Sequence, residues 1–248
     1  MDEPTETPVK RTYDRIAEHF ASTRAYPWPE VTAFLRPGAD DAVSRLDADA
    51  TDALAGGAVP VVAGATQDGG DRSGVGLDIG CGNGRHAESL SAVVGRVVGV
   101  DVSAELLATA RQRAEERRTD PRPHLIQADA SSLPVGSNTV DIAVYVATLH
   151  HLRPRSRRVA SLSELSRVLA PGGRALVSAW ATAHDRFDAD SGFDTTIPWT
   201  LPGGESVPRF YHIYDPAEFA ADIRDSGLGV VATTVSSGNC YAVVDPDG

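Results

Sequence analysis

Two features of the sequence predict an α/β fold built on a mostly parallel sheet. From Val75 onward, short apolar runs alternate with helix-spaced segments at the rhythm of βαβ units. Three carboxylates, Asp78, Asp101 and Asp129, fall at the ends of three consecutive apolar runs. Ligands of such sheets bind at the carboxyl ends of the strands, so the pattern already suggests where a site would lie.

Each element follows from a local signal. Val9, Tyr13, Ile16, Ala17 and Phe20 recur at helical spacing in TPVKRTYDRIAEHFASTRA. YPWP breaks that helix, and Glu30 to Leu35 suits a second, short one. VGLDI is a strand, followed by a helix over Arg85–Ala92. RVVGVDVS is the second strand and leads to a helix from Ala104 to about Arg118. PHLIQADA and TVDIAVYVATLHH supply the third and fourth strands. A helix is expected over Arg155–Leu169, then a turn at APGG and the strand RALVSAW. DPAEFAADIRDSG is a helix with Gly227 as its stop. GVVATTVSS and NCYAVV close the chain, expected as an antiparallel pair at the sheet edge.

The chain has 248 residues, 42% of them hydrophobic, which supports one sizeable domain or a domain with an appendage. The expected division is a helical segment over residues 1–36, an acidic low-complexity connection over 37–74, and a core over 75–248. The connection is rich in Asp, Gly and Ala, with one short helix expected over Asp40–Leu54. The apolar runs AVPVVAGA and IAVYVATL fall well short of the ~20 residues that cross a bilayer, and no charged-then-apolar leader opens the chain. A cytoplasmic protein without a membrane partner is therefore expected. Its two cysteines, Cys81 and Cys240, suggest neither a disulfide framework nor a metal cluster.

The formal net charge is -11; 23 of the 34 acidic residues are Asp, and Lys10 is the only lysine. That balance looks like a salt-adapted, halophilic composition. Net acidity argues against a nucleic-acid partner in general, but in concentrated salt surface charge says little about a pocket.

The stretch LDIGCGNGRHAES places glycines at 80, 82 and 84 between a strand and a helix. Such a turn lets backbone approach a ligand closely. The dinucleotide fingerprint needs its third glycine one residue later, so nicotinamide and S-adenosylmethionine chemistry both remain open at this point. Asp101, at the end of the second strand, suits the two hydroxyls of a ribose. Asp129 suits an adenine amino group. Three carboxylates around one crevice fit a cationic amino acid, a ribose and an adenine, and they would repel a pyrophosphate.

Taken together, LDIGCGNG, GVDVS, ADASSLP, VDIAV and ELSRVLAPGGRALV resemble the class I S-adenosylmethionine-dependent methyltransferases. The resemblance spans about Val75 to Trp180. It implies a Rossmann-like αβα sandwich, a seven-stranded mixed sheet whose last strand is antiparallel, and S-adenosyl-L-methionine as cofactor. The implied cofactor residues are Asp78, Gly80, Cys81, Gly82, Asn83 and Gly84 around the turn, Asp101 at the ribose and Asp129 beside the adenine. Val102, Ala130 and Val146 complete that set.

The flanking segments narrow the resemblance. YDRIAEHFASTRAYPWP, the His150–His151 pair with the arginines after it, Trp180–Ala181, RFYHIY and GNCYAVV resemble the transfer-RNA wobble-uridine methyltransferases. Those enzymes esterify the carboxylate of 5-carboxymethyluridine. Phe210 and Cys240 depart from the Tyr and Trp usual in that family. An acceptor carboxylate is already ionised at neutral pH, so it needs placing rather than activating. Arginine is the natural clamp for it.

The resemblance implies Arg24, His150, Arg209 and His212 as catalytic, and Arg24, Tyr26, Trp28, His151 and Tyr211 as substrate-binding. The segment His184–Ile213 would form part of the acceptor wall. Arg155, Arg157 and Arg158 read as a solvated helix face, or else as a phosphate patch. No metal is expected, because His150, His151 and His212 lack ligand spacing. The family also implies a transfer-RNA anticodon region as partner, together with a small zinc-binding activator protein, and no DNA. Two other functions share the core motifs: a small-molecule methyltransferase acting on a quinone or a carboxylic acid, and a non-catalytic scaffold.

Overall fold

The computed structural model describes residues 8–36 and 72–246. Most of the acidic connection, including the helix expected over Asp40–Leu54, lies outside the described residues. The N-terminal segment forms α1 (Pro8–Ser22) and α2 (Pro29–Phe34). The core then runs β1 (Val75–Ile79), α3 (Arg85–Ser91), β2 (Arg96–Asp101), α4 (Ala104–Glu116), β3 (His124–Gln127) and β4 (Val140–Val146). A 3-10 turn (Leu149–His151) leads to α5 (Arg155–Val168) and β5 (Leu169–Trp180). The chain ends with β6 (Phe193–Thr200), β7 (Ser206–Ile213), α6 (Pro216–Asp225), β8 (Gly229–Ser236) and β9 (Asn239–Asp245).

The main sheet has seven strands in the order β3-β2-β1-β4-β5-β9-β8. Strands β1 to β5 pair in parallel, and β9 runs antiparallel to both neighbours. The strand order reverses beside β1, where β2 lies on one side and β4 on the other. That switch point opens a crevice at the carboxyl ends of the strands.

Side-chain alternation builds two apolar layers. Leu77, Ile79, Ala143 and Tyr145 face one side, against Leu162 and Leu165 of α5 and Phe219 and Ile223 of α6. Ile142, Val144, Leu176 and Tyr241 face the other, against Val31 and Phe34 of α2 and Leu90 of α3. Strands covered on both faces read as continuous apolar runs, which is how β4 appears in the sequence.

Helix ends obey local chemistry. Ser103 caps α4 by accepting from the Leu106 N–H at 3.1 Å. Asp215 caps α6 by accepting from Ala217 and Glu218, with Pro216 in the first turn. Gly227, at φ +84°, follows the end of α6 in the left-handed conformation that a stop requires.

The two closing strands form the expected antiparallel pair at the sheet edge, with β9 between β5 and β8 and β8 outermost. Asn239 to Val244 are all buried, as suits a strand with neighbours on both sides, while β8 alternates with solvent. Two features differ from the expectations. The APGG segment does not separate helix from strand. Leu169 already pairs with Val140, the chain bulges outward, and pairing resumes at Arg174 and Ile142. Between them, Gly172 takes φ +78°. Finally, residues 193–213 form an antiparallel hairpin, β6–β7, of which the sequence reading had only the role and not the strands.

A buried charge cluster joins α5 and α6. Asp222, fully buried, lies 2.6 Å from Arg155 and 3.5 Å from Arg158, and accepts from the Tyr214 hydroxyl at 2.9 Å. Arg158 is itself buried and also meets Glu218 at 3.2 Å. Asp222→Ala would leave that guanidinium without its deepest partner. The expected loss is about 3–5 kcal/mol of unfolding free energy, read from the urea midpoint at neutral pH.

Candidate active site

The glycine turn sits at the mouth of the crevice and is strapped to β2. The N–H groups of Gly80 and Cys81 donate to the Val100 carbonyl at 2.7 and 3.0 Å. Gly80 takes φ +70°, and a Cβ there would lie 2.1 Å from the Thr148 hydroxyl. Only glycine meets both demands. The Cys81 sulfur lies over Gly99. Burial, reinforced by Asp78 and Asp101, pushes its thiol well above the ordinary range, so it is a packing residue rather than a nucleophile. Asn83 donates its amide to the Arg24 carbonyl at 2.9 Å, which ties the turn to the chain after α1.

Asp101 receives two backbone N–H groups, Gly82 on one oxygen and Ser103 on the other, each at 2.8 Å. Burial pushes its carboxyl up to about 6 against those bonds. Asp129 accepts from the Ser131 hydroxyl at 2.6 Å and the Ser131 N–H at 2.9 Å, and is ion-paired to Arg157. Burial opposes its ionisation, but Ser131 and Arg157 outweigh burial and hold the carboxyl below the ordinary range.

These groups line a cavity of about 540 Å³, a size typical of cofactor sites. Of the expected cofactor residues, Gly80, Cys81, Gly82 and Asn83 line it, as do Asp101, Val102, Asp129, Ala130 and Val146. Asp78 and Gly84 are not part of the wall. Asp78 is buried behind the turn, with one carboxylate oxygen that has no hydrogen-bond partner. Burial first, and then Asp101, push its carboxyl up to about 7, while the Ala87 N–H and Arg85 pull it down. The donor set fits a ligand with vicinal hydroxyls, an aromatic amine and a positive charge. Such a ligand would find acceptors in Asp101 and Asp129 and apolar surface in Val102, Ala130 and Val146.

The opposite wall comes from α1, the 3-10 turn and the β6–β7 hairpin. His151 donates from Nδ1 to the Phe210 carbonyl at 2.8 Å and accepts the Tyr13 hydroxyl on Nε2 at 2.7 Å. Burial pushes His151 down to about 4, so it is neutral at pH 7. His150 accepts the Trp180 N–H on Nδ1 at 3.1 Å, and burial holds it well below the ordinary histidine value. It lies behind the wall, stacked on Tyr211 with ring centroids 4.8 Å apart. Arg209 lines the cavity, is nearly buried, and leaves its Nε without a partner.

Other expected acceptor residues sit elsewhere. Arg24 is outside the cavity wall, 5.4 Å from the Trp199 ring centre. Tyr26 is 78% exposed. Trp28 packs edge-on to Tyr241 in the second apolar layer. His212 is buried off the cavity, with Nδ1 2.7 Å from Asp194 and Nε2 2.9 Å from Glu218, so both ring nitrogens are engaged. The arginines expected as a solvated face or phosphate patch are ion-paired: Arg155 and Arg158 to Asp222, Arg157 to Asp129. Among the described residues, no group of three His, Cys, Asp or Glu side chains is placed to hold a metal. No described helix is long and apolar enough to cross a membrane.

Residues 77–177 match the family model for a methyltransferase domain. The chain carries a class I S-adenosylmethionine-dependent methyltransferase domain. Two relatives share the name tRNA (carboxymethyluridine(34)-5-O)-methyltransferase. The protein of Saccharomyces cerevisiae is 29% identical over 205 residues, covering 81% of this chain. The chain spans 59% of that relative's length. The protein of Schizosaccharomyces pombe is 24% identical over 260 residues, covering 96% of this chain and 95% of the relative. Among solved structures, a putative methyltransferase in complex with the Haloferax volcanii Trm112 methyltransferase activator aligns with a TM-score of 0.61 at 15% identity. It covers 97% of this chain and 98% of that one.

Two residues at the site escaped the sequence reading. Arg157, read as a solvated helix face or a phosphate patch, lines the cavity and pairs with the strand-end carboxylate Asp129. Trp199, which lies beside the wall rather than in it, was not singled out. Its signal was the alternation Phe193, Thr195, Ile197, Trp199, the less exposed face of β6.

The raised Asp78 carboxyl makes a pH prediction. Between about pH 4 and 7 the unfolded chain has lost this proton and the folded chain keeps it. Stability therefore falls as pH rises through that window, by up to roughly 1.4 kcal/mol per pH unit. Asp78→Asn removes the slope. Its stability relative to the parent, by chemical denaturation without cofactor, should increase steadily from pH 4 to 7.

Proposed function

We propose that the protein transfers a methyl group from S-adenosylmethionine to the carboxylate of 5-carboxymethyluridine at the transfer-RNA wobble position, giving the methyl ester. The observation that carries this reading is Arg209, a nearly buried cation with an unpaired N–H in the wall of the cofactor cavity. A buried unpaired donor is costly, and an anionic acceptor relieves that cost. The names of the yeast relatives support the same acceptor.

The bound cofactor supplies a methyl group made electrophilic by a sulfonium. This chain's residues hold the nucleophile and exclude water. Arg209 clamps the carboxylate. The neutral His151, with its proton fixed on Nδ1 by Phe210, orients the Tyr13 hydroxyl at the cavity wall. Burial, followed by Tyr211, keeps that hydroxyl protonated, so its proton goes to His151 and no phenolate faces the cavity. No general base is needed, because the acceptor is an anion before it binds. Residues 8–36 close over the cavity through α1, whose Tyr13 and Phe20 are part of its wall.

In this reading the partners are the anticodon region of a transfer RNA and a small zinc-binding activator protein. The likeness to a fold solved with an activator supports the second. A net charge of -11 confines phosphate contacts to a local cluster of arginines.

Nucleoside mass spectrometry of transfer RNA from a strain lacking the gene tests the reading. Carboxymethyluridine should accumulate, and purified protein with labelled cofactor and activator should convert it to the methyl ester. Unchanged nucleosides, with no label entering RNA, would contradict it and direct the search to small-molecule acceptors. In the same assay Arg209→Gln should lower kcat/KM by about 100-fold or more, while cofactor affinity stays within about 3-fold.

A further inference from the structure

Cations and rings alternate beside the acceptor wall. His150 stacks on Tyr211, the Arg209 guanidinium lies 5.1 Å from the Tyr211 ring and 4.8 Å from that of Trp199, and Arg24 lies 5.4 Å from Trp199 and 5.5 Å from Phe20. Trp199 is held in place: its Nε1–H donates to His19 at 3.2 Å, and Phe20 packs against it at 5.5 Å. Its ring is therefore shared by two guanidiniums that come from different parts of the chain, Arg209 from β7 and Arg24 from the loop after α1.

Neither cation has a carboxylate partner among the described residues. Arg113, Arg155, Arg157, Arg158 and Arg167 all have one. Arg85 and Arg153 of the cavity wall also lack one among the described residues and lie over rings of their own, but Arg24 and Arg209 share a single ring, so two like charges are held side by side in a chain where acids outnumber bases 34 to 23. Like charges repel, and the negative face of an indole partly offsets that repulsion. Arg209 reaches the cavity and Arg24 does not. One carboxylate at the cavity therefore accounts for one arginine and leaves the other.

We propose that Trp199 is a positioning residue that holds Arg209 and Arg24 in fixed register, so that the acceptor carboxylate and a neighbouring phosphate of the same RNA strand are gripped together. The proposal rests on the acceptor reading above and deepens it. The substrate is a strand with a flanking phosphate, and the free nucleoside is a poor acceptor.

The test compares an anticodon stem-loop RNA carrying carboxymethyluridine with the free nucleoside, using purified protein and its activator partner. Wild type, Trp199→Leu, Trp199→Phe and Arg24→Gln are assayed for methyl transfer, for RNA affinity against salt concentration, and for S-adenosylhomocysteine affinity. Wild type should prefer the stem-loop over the nucleoside by at least about 10-fold in kcat/KM. Trp199→Leu and Arg24→Gln should raise KM for the stem-loop by about 10-fold and reduce the salt slope by roughly 0.7, the value of one single-strand phosphate contact. Both should leave S-adenosylhomocysteine affinity within about 3-fold. Trp199→Phe, which keeps an aromatic face, should restore most of the loss.

An unchanged salt slope and KM in Trp199→Leu and Arg24→Gln, with wild type active, would overturn the proposal and leave the acceptor reading standing. If Trp199→Leu has lost cofactor affinity through misfolding, Arg24→Gln and Trp199→Phe decide. A wild-type protein that methylates neither substrate overturns the acceptor reading, and this proposal with it.

Discussion

The Asp101 carboxylate stands where three parts of the molecule are joined. One oxygen takes the Gly82 N–H and fixes the glycine turn; the other takes the Ser103 N–H at the start of α4. Ser103 in turn donates its hydroxyl to Asp14 of α1 at 2.6 Å, so the N-terminal helix is attached to the same point. Charge-assisted bonds of this kind are each worth about 1.5–3 kcal/mol. Their larger effect here is geometric. The turn, the end of β2 and the start of α4 meet at this one side chain, whose burial raises its carboxyl to about 6 yet leaves it ionised at neutral pH.

The acceptor side is organised by the opposite logic. Its histidines are buried and neutral, and its tyrosines keep their protons, because burial penalises every charge that has no partner. Of the cations lining the cavity, Arg209 is the nearly buried one with an unpaired N–H. Under the proposed function, such a wall holds an anion and does not generate one. It would suit an acceptor that arrives ionised, and serve poorly for an amine or hydroxyl that must first lose a proton.

The sheet was legible because its signals are local. Alternating apolar runs, Gly227 as a stop and the three glycines of the turn each act within a few residues. The cofactor crevice was legible for the same reason, since a parallel sheet puts the ends of consecutive strands side by side. What was missed depends on long-range contacts. The fates of His212, Trp28 and Arg158 were set by Glu218, Tyr241 and Asp222, and nothing near them in sequence announces those partners. Trp199 acquires its place only when α1 and the hairpin meet.

The most direct test of this account is calorimetric titration of S-adenosylhomocysteine into the wild-type protein and Asp101→Asn. The substitution keeps the side chain's shape and removes its charge. The account predicts one-to-one binding to wild type and at least about 30-fold weaker binding to the variant, with the variant still folded by circular dichroism. Equal affinity in both proteins, or no binding to wild type, would contradict it.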